Sequence, residues 1–247
     1  MEIITSKNNA IVSLANKLKD KKYRLQYNQV LIEGKKIILE AVKCGYSIDY
    51  VLSCNIDDKD EFNAKFVLID EKICKYLSFT VTSQNVFAIV SLKKQENNDY
   101  SNKVVVLDKV QNPDNLGAII RSAVATGFTN ILSIDSVDIF NDKCVRASMG
   151  NVFKINLHKI TYDDITILKQ THLIVVADMN GENVFNTSIT ANKVALIVGN
   201  EGNGISDEVK LLADKVVSLP MQNNVESLNV SVSAAILMYQ INNLIGE

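Results

Sequence analysis

The sequence predicts an α/β protein in two parts, a small α/β domain over residues 1–95 and a parallel-sheet domain over residues 103–247. Three observations predict it. Five short, β-rich runs that are apolar on both faces punctuate the second part, as buried parallel strands do. Helix-forming stretches lie between them, and strand–helix alternation implies a parallel sheet covered by helices. Residues 92–103, LKKQENNDYSNK, are polar and aperiodic and so read as a linker.

In the first part, Ile11 to Leu25 carries apolar residues at helical spacing (Ile11, Leu14, Ala15, Leu18) with lysines between them. Val30 to Ile32 is a short strand, and Lys35 to Val42 a helix ended by Gly45. Strands follow at Tyr50 to Leu52 and Phe66 to Ile69, then a helix near Glu71 to Leu77 and a strand at Phe87 to Leu92. In the second part the strands are Val104–Leu107, Ile131–Ile134, Leu173–Ala177, Val194–Val198 and Val216–Leu219. The helices are Leu116–Thr126, Ile165–Gln170, Ser206–Ala213 and Val230–Leu244. No internal repeat is evident.

Composition narrows the class. At 47% hydrophobic and 22% charged residues, the 247-residue chain has the balance of a soluble globular protein with a real core. The start, MEIITSKNNA, has an acid at position 2 and no apolar segment of the kind a secretory signal needs. No run approaches the roughly 18 apolar residues of a membrane span. Cys44, Cys54, Cys74 and Cys144 are widely spaced and form no C-x-x-C pair, so neither a zinc site nor a disulfide framework is expected. Residues 1–43 hold nine Lys/Arg against four Asp/Glu, whereas residues 101–247 hold eleven against fifteen. Such a basic N-terminal segment suits a phosphate backbone, although a solvated lysine-rich helix face has the same composition.

Open α/β sheets bind ligands at the carboxyl ends of their strands, so the loops there carry the functional argument. After the first strand of the second part comes Asp108-Lys109-Val110-Gln111-Asn112-Pro113-Asp114-Asn115-Leu116-Gly117. Pro113 with Asp114 or Asn115 makes a helix start and cap. Arg121 follows about one turn in, among apolar neighbours, where it is a natural ligand for a phosphate or an oxyanion or else one half of an ion pair. After the fourth strand comes Gly199-Asn200-Glu201-Gly202-Asn203-Gly204. Three glycines in six residues imply positive φ or close backbone approach, yet the spacing is neither a dinucleotide fingerprint nor a phosphate loop. A carboxylate at Glu201 would repel a pyrophosphate and be tolerated beside a neutral ligand or a cationic one such as a sulfonium. After the fifth strand, Leu219-Pro220-Met221 leads through Ser227, Leu228 and Asn229 into a helix whose first turns are small residues. Ser227 and Asn229 stand at the helix entrance, suited to capping or to holding a substrate.

Taken in order, the three loops resemble the SpoU (TrmH-like) RNA 2′-O-ribose methyltransferases of the SPOUT superfamily. The motif N-x-G-x-x-x-R is Asn115, Gly117 and Arg121, and V-G-N-E-x-x-G is Val198 to Glu201 and Gly204. The third motif is Pro220, Met221, Ser227, Leu228, Asn229, Val230 and Ser231. Arg146-Ala147-Ser148-Met149-Gly150 is similar to a further family segment. Val30-Leu31-Ile32-Glu33-Gly34 and Ser6-Lys7-Asn8-Asn9 resemble the substrate-binding domain found ahead of this catalytic domain. Two departures stand out. Asn223 replaces the usual glycine of the third motif, and asparagine is the next most tolerant residue of left-handed φ. Thr82-Ser83-Gln84-Asn85 stands where Pro-Gln-Gly is usual, which bears on the shape of the interdomain junction.

The resemblance implies a trefoil-knotted methyltransferase domain preceded by a ribosomal-protein-like α/β RNA-binding domain. It implies a cytoplasmic homodimer acting on RNA, ribosomal by family analogy, with neither membrane nor metal. Its cofactor would be S-adenosylmethionine, held by backbone groups of Gly199, Leu219 and Leu228, with Val198, Asn200 and Met221 alongside. The catalytic set is Arg121, Asn115, Glu201, Ser227 and Asn229. In that picture Arg121 activates the 2′-hydroxyl, although an arginine pKa above about 12 suits it better to stabilising an alkoxide or gripping a phosphate. Asn115 orients Arg121 or the ribose, Glu201 places a partner side chain, and Ser227 and Asn229 fix the third loop and the substrate. A tRNA 2′-O-methyltransferase, a non-catalytic RNA-binding or assembly factor on the same fold, and a small-molecule methyltransferase remain alternatives, the last a poor match to the basic N-terminal segment.

Overall fold

The computed structural model describes residues 2–93 and 100–245; residues 94–99 of the expected linker lie outside the described residues. Along the chain the elements are α1 (Ala10–Lys17), α2 (Lys21–Tyr27), β1 (Gln29–Glu33), α3 (Lys35–Lys43), β2 (Ser47–Ser53), β3 (Lys65–Leu68), α4 (Glu71–Leu77) and β4 (Val86–Ser91). Then come β5 (Lys103–Asp108), α5 (Pro113–Ala125), β6 (Asn130–Ile134), α6 (Asp142–Ala147), β7 (Asn156–Lys159), α7 (Tyr162–Leu168), β8 (Leu173–Asn183), β9 (Val194–Val198), α8 (Asp207–Leu212), β10 (Lys215–Ser218) and α9 (Val230–Ile245). Short 3-10 turns occupy Ile56–Asp60 and Asn151–Lys154.

The chain divides into two compact units, residues 1–94 with 140–153, and residues 95–139 with 154–247. In the first, a four-stranded sheet runs β1-β4-β2-β3, antiparallel except for the parallel β2–β3 pair. Side chains of a strand alternate between its faces. One face gathers Leu31, Leu52, Phe87 and Ile89 with Val12, Ala15 and Leu18 around α1 and Ile73, Cys74 and Leu77 of α4. α3 runs against β1, β4 and β2, burying Ile37, Ile38 and Ala41. The single helix expected over Ile11–Leu25 is two helices. Asp20 accepts a hydrogen bond from the Lys22 amide at 2.8 Å and starts α2 afresh, and Leu25 is left 66% exposed.

The second unit is a six-stranded, all-parallel sheet in the order β10-β8-β9-β5-β6-β7. Val104 to Leu107 of β5 and Val194 to Ile197 of β9 are fully buried, which is why both read as unbroken apolar runs. One face packs Val104, Val106, Ala195 and Ile197 against Ile165 and Leu168 of α7 and Val209 of α8. α9 lies on α5 and also reaches β9. β7 and α6 had no counterpart in the sequence reading, and β8 runs six residues past the expected Ala177. Beyond Val176 the pairing of β8 with β10 slips, so that Val217 faces Glu182. At Gly181 the Val217 backbone comes so near that a Cβ would lie 2.6 Å from its nitrogen. Chain progression leads from β5 outward through β6 and β7, then returns through β8 to β9 on the other side of β5. The carboxyl ends of β5 and β9 are therefore neighbours at a reversal of strand order, where such sheets hold ligands.

Candidate active site

The loop after β5 begins with a non-glycine left-handed residue, Lys109 at φ +56°. This conformation is uncommon outside glycine and marks a constrained turn. The Lys109 carbonyl accepts a hydrogen bond from Asn200 Nδ2 at 2.9 Å, so the first residue of one loop is held by the second residue of the other. Asp108, at the end of β5 and 1% exposed, ties the same two segments from below. Its carboxylate accepts from Tyr162 Oη at 3.1 Å, from the Ser206 amide at 2.8 Å and from Ser206 Oγ at 2.7 Å.

α5 starts one residue earlier than its expected cap. Asn112, not Asp114 or Asn115, is the cap, accepting from the Asp114 and Asn115 amides at 2.9 and 3.3 Å. The reason is Pro113, which occupies the first helical position because it has no N–H to lose, and so assigns the cap to the residue before it. Asn115 thereby projects from the first turn. Arg121 lies eight residues after Pro113, more than two turns in, and it is exposed. Among the described residues no hydrogen bond or ion pair engages its side chain.

The loop after β9 is closed by a pair of backbone hydrogen bonds, Asn200 N to Gly204 O at 2.9 Å and Gly204 N to Asn200 O at 3.0 Å. Gly204 uses its freedom directly, at φ +67°. Gly199 is needed for space: a Cβ there would overlap the Gly204 carbonyl and lie 2.7 Å from the Ile205 nitrogen. Asn200 Oδ1 accepts from the Gly202 and Asn203 amides at 2.9 and 3.0 Å. Glu201 points its carboxylate at the start of α5. It accepts from the Asn112 amide at 3.0 Å, the Gln111 amide at 3.3 Å and Asn115 Nδ2 at 3.2 Å. Partial burial alone would raise its pKa. Hydrogen bonds from its own amide, the Asn115 side chain and the Asn112 and Gln111 amides outweigh burial and hold it below the usual carboxylate range.

The loop after β10 turns at Gln222–Val225, with the Val225 amide on the Gln222 carbonyl at 3.2 Å. Asn223 and Asn224 both take left-handed φ, +55° and +56°. Asparagine thus fills the glycine position of the third motif without loss of the turn. Asn229 does two things at once. Its Oδ1 caps α9 by accepting from the Ser231 amide at 2.9 Å, and its Nδ2 donates to Asn115 Oδ1 at 2.9 Å. Ser227 is exposed, and among the described residues its side chain has no hydrogen bond.

These contacts bring Glu201, Asn115 and Asn229 into one line of side chains joining all three loops. A cavity of about 380 Å³ opens against the third loop, lined by Leu219, Met221 and Leu228 of the expected cofactor set together with Phe185, Pro220, Gln222, Val225 and Ile236. Val198, Gly199 and Asn200 are not among the lining residues. Val198 is 1% exposed and Gly199 is buried as well, so neither contributes to the open wall of this cavity. Sequence reasoning passed over Asn112, Asp108, Phe185 and Ile236. An Asn-Pro pair and an acid ending an apolar strand were signals for the first two; nothing local signalled the others.

Two family models match the chain: the SpoU rRNA Methylase family over residues 102–239, and the MRM3-like substrate binding domain over residues 8–88. A relative in Bacillus subtilis, named 23S rRNA (guanosine(2553)-2'-O)-methyltransferase RlmP, is 31% identical over 98% of this chain and 99% of its own length. A crystal structure of an RNA 2'-O ribose methyltransferase superposes with a TM-score of 0.85 at 26% identity, covering 98% of this chain and 99% of the other. An AdoMet-bound rRNA methyltransferase from Sinorhizobium meliloti shares the fold at a TM-score of 0.87 and 24% identity, over 100% of this chain and 99% of its own. With one family model spanning more than half of its residues and a full-length relative at 31% identity, the chain belongs to the SpoU rRNA methylase family.

Proposed function

We infer that this protein transfers a methyl group from S-adenosylmethionine to a ribose 2′-hydroxyl of ribosomal RNA. The observation that carries this reading is the hydrogen-bonded line Glu201–Asn115–Asn229, which ties together the three motif loops, the third of which lines an apolar cavity. At about 380 Å³ the cavity has the size of a small-molecule site. Its lining includes neither Lys nor Arg, which leaves a pyrophosphate without a counterion and suits an adenosine bearing a sulfonium. Leu219, Met221 and Leu228 would hold that cofactor, with backbone groups near Gly199. When bound, it supplies an electrophilic methyl carbon.

The remaining work falls to the chain. Arg121 is a poor base, because its guanidinium stays protonated in proteins. Its task is to grip the phosphate next to the target ribose or to stabilise the alkoxide as the hydroxyl proton leaves for solvent. Having no partner among the described residues, it is available to one. Asn115 and Asn229 position the first and third loops, Glu201 fixes Asn115, and Ser227 faces the substrate. Residues 103–247 act as the methyltransferase domain and residues 1–95 as the RNA-binding domain. A second copy completes the enzyme. Val232 and Tyr239 of α9, 46% and 60% exposed, provide apolar surface for it on the helix that also supplies Ile236. The trefoil knot and a cytoplasmic location go with this reading, supported by the family and by a ribosomal substrate.

Arg121→Ala tests it. Tritiated methyl incorporation into 23S rRNA should fall by about 10²–10³-fold, with cofactor affinity by calorimetry unchanged. Incorporation at the wild-type rate would overturn the role of Arg121. Labelling of tRNA in preference to 23S rRNA by the wild type would overturn the ribosomal assignment.

A further inference from the structure

We propose that α2 and the segment leading into it form a stacking platform for unpaired nucleotides of the RNA substrate. This rests on RNA being the substrate and says where its unpaired bases land. Residues 17–24, KLKDKKYR, hold five Lys/Arg and one acid. That acid, Asp20, is engaged as the α2 cap. Lys17, Lys21 and Lys22 are exposed, and among the described residues none forms an ion pair.

Tyr23 and Tyr27 lie one turn apart on α2 with ring centroids 6.3 Å apart and planes within 16°. Lys17 Nζ is 5.8 Å and Lys22 Nζ 5.7 Å from the Tyr23 centroid. Tyr27 is 40% exposed and neighbouring Leu25 66%, so the Tyr27 end of the ring pair is open. Arg24 points inward. At 6% exposure it donates to the carbonyls of Leu18 and Lys19 at 3.0 and 2.7 Å, bracing the connection that presents the lysines.

Parallel aromatic faces flanked by unpaired ammonium groups provide what a single strand needs. A base stacks on an open ring while its phosphate meets a lysine, and every base has a π-face to offer. An A-form duplex keeps its base faces stacked within the helix and presents only edges, sugars and phosphates, so it gains nothing from an open tyrosine ring. The excess of positive charge around the rings favours a polyanion over an apolar protein partner.

The sequence contains no tryptophan, so Tyr27→Trp in the full-length protein introduces a single indole reporter. Titration with a short unstructured oligoribonucleotide should quench its emission, and a fully paired, loop-free duplex stem of the same composition should not. Tyr27→Ala should weaken binding of the unstructured RNA about tenfold and of the stem less than twofold. Replacing Lys17 and Lys22 together by Gln should reduce the slope of log affinity against log salt by about 1.4. Absence of quenching, or equal losses on the two RNAs, overturns the platform. Methyl transfer by the wild type to ribosomal RNA is measured on the same preparations. Lack of transfer with the binding differences intact rejects the enzymatic reading and leaves the platform standing, and the converse result rejects the platform alone.

Discussion

Gly199→Ala tests whether the loop after β9 is as closely folded as its geometry implies. The backbone at Gly199 is not left-handed, so alanine adopts its φ without strain and the whole cost is steric. The new methyl would collide with the Gly204 carbonyl and lie 2.7 Å from the Ile205 nitrogen, and both are backbone atoms that no rotamer change can move. Relief requires opening the loop. That loses the two hydrogen bonds between Asn200 and Gly204, each contributing about 0.5–1.5 kcal/mol net. Residual overpacking adds about 1–3 kcal/mol, and the stiffer unfolded chain returns about 0.4–1 kcal/mol. A net loss of about 1–5 kcal/mol follows, which for a chain of this size lowers Tm by roughly 2–20 °C. Urea unfolding and thermal melts read it directly. Gly202→Ala is the control, because its Cβ would meet only the Asn200 side-chain oxygen, at 3.6 Å. If Gly199→Ala melts within a degree of the wild type, or Gly202→Ala loses as much, the close-approach argument is wrong.

Two other perturbations address the electrostatics. Because hydrogen bonds hold the Glu201 carboxyl below its unfolded pKa of about 4.3, its contribution to stability is complete above that pH and is lost as pH falls through the folded value. The difference in urea midpoint between wild type and Glu201→Gln should therefore be largest near neutrality and shrink below about pH 4; a pH-independent difference refutes the charge argument. Burial, followed by the neighbouring Cys54, pushes the Cys74 thiol up to about 12. In native protein at pH 8, iodoacetamide should label half-buried Cys44 well before Cys74, as peptide mass spectrometry would resolve, and comparable rates would contradict the burial of Cys74.

Legibility of the fold followed burial. β5 and β9 have apolar side chains on both faces and were readable residue by residue, whereas β7, NLHK, is an edge strand with one aliphatic residue and offers no pattern. The continuation of β8 past Ala177 is mostly polar and owes its strand character to pairing with β10 rather than to local preference. At the site, the motif loops could be ordered from sequence, but their hydrogen bonds could not. Asn115 and Asn229 are 114 residues apart, and nothing local to either says that one donates to the other. Glu201 illustrates the same limit. Its charge is legible and suits a neighbour for a cationic or neutral ligand or for a partner side chain; its hydrogen bonds come from the Asn115 side chain and from the Gln111 and Asn112 amides that open α5.

The first unit is discontinuous in sequence: it recruits residues 140–153, including buried Cys144, Val145, Val152 and Phe153, from within the span of the second. During synthesis the amino-terminal unit therefore cannot make its contacts with residues 140–153 until more than half of the polypeptide has been made. A truncation after residue 95 takes the same apolar segment from it. Point substitutions in α2, rather than severed fragments, are the sound way to ask what the amino-terminal unit contributes.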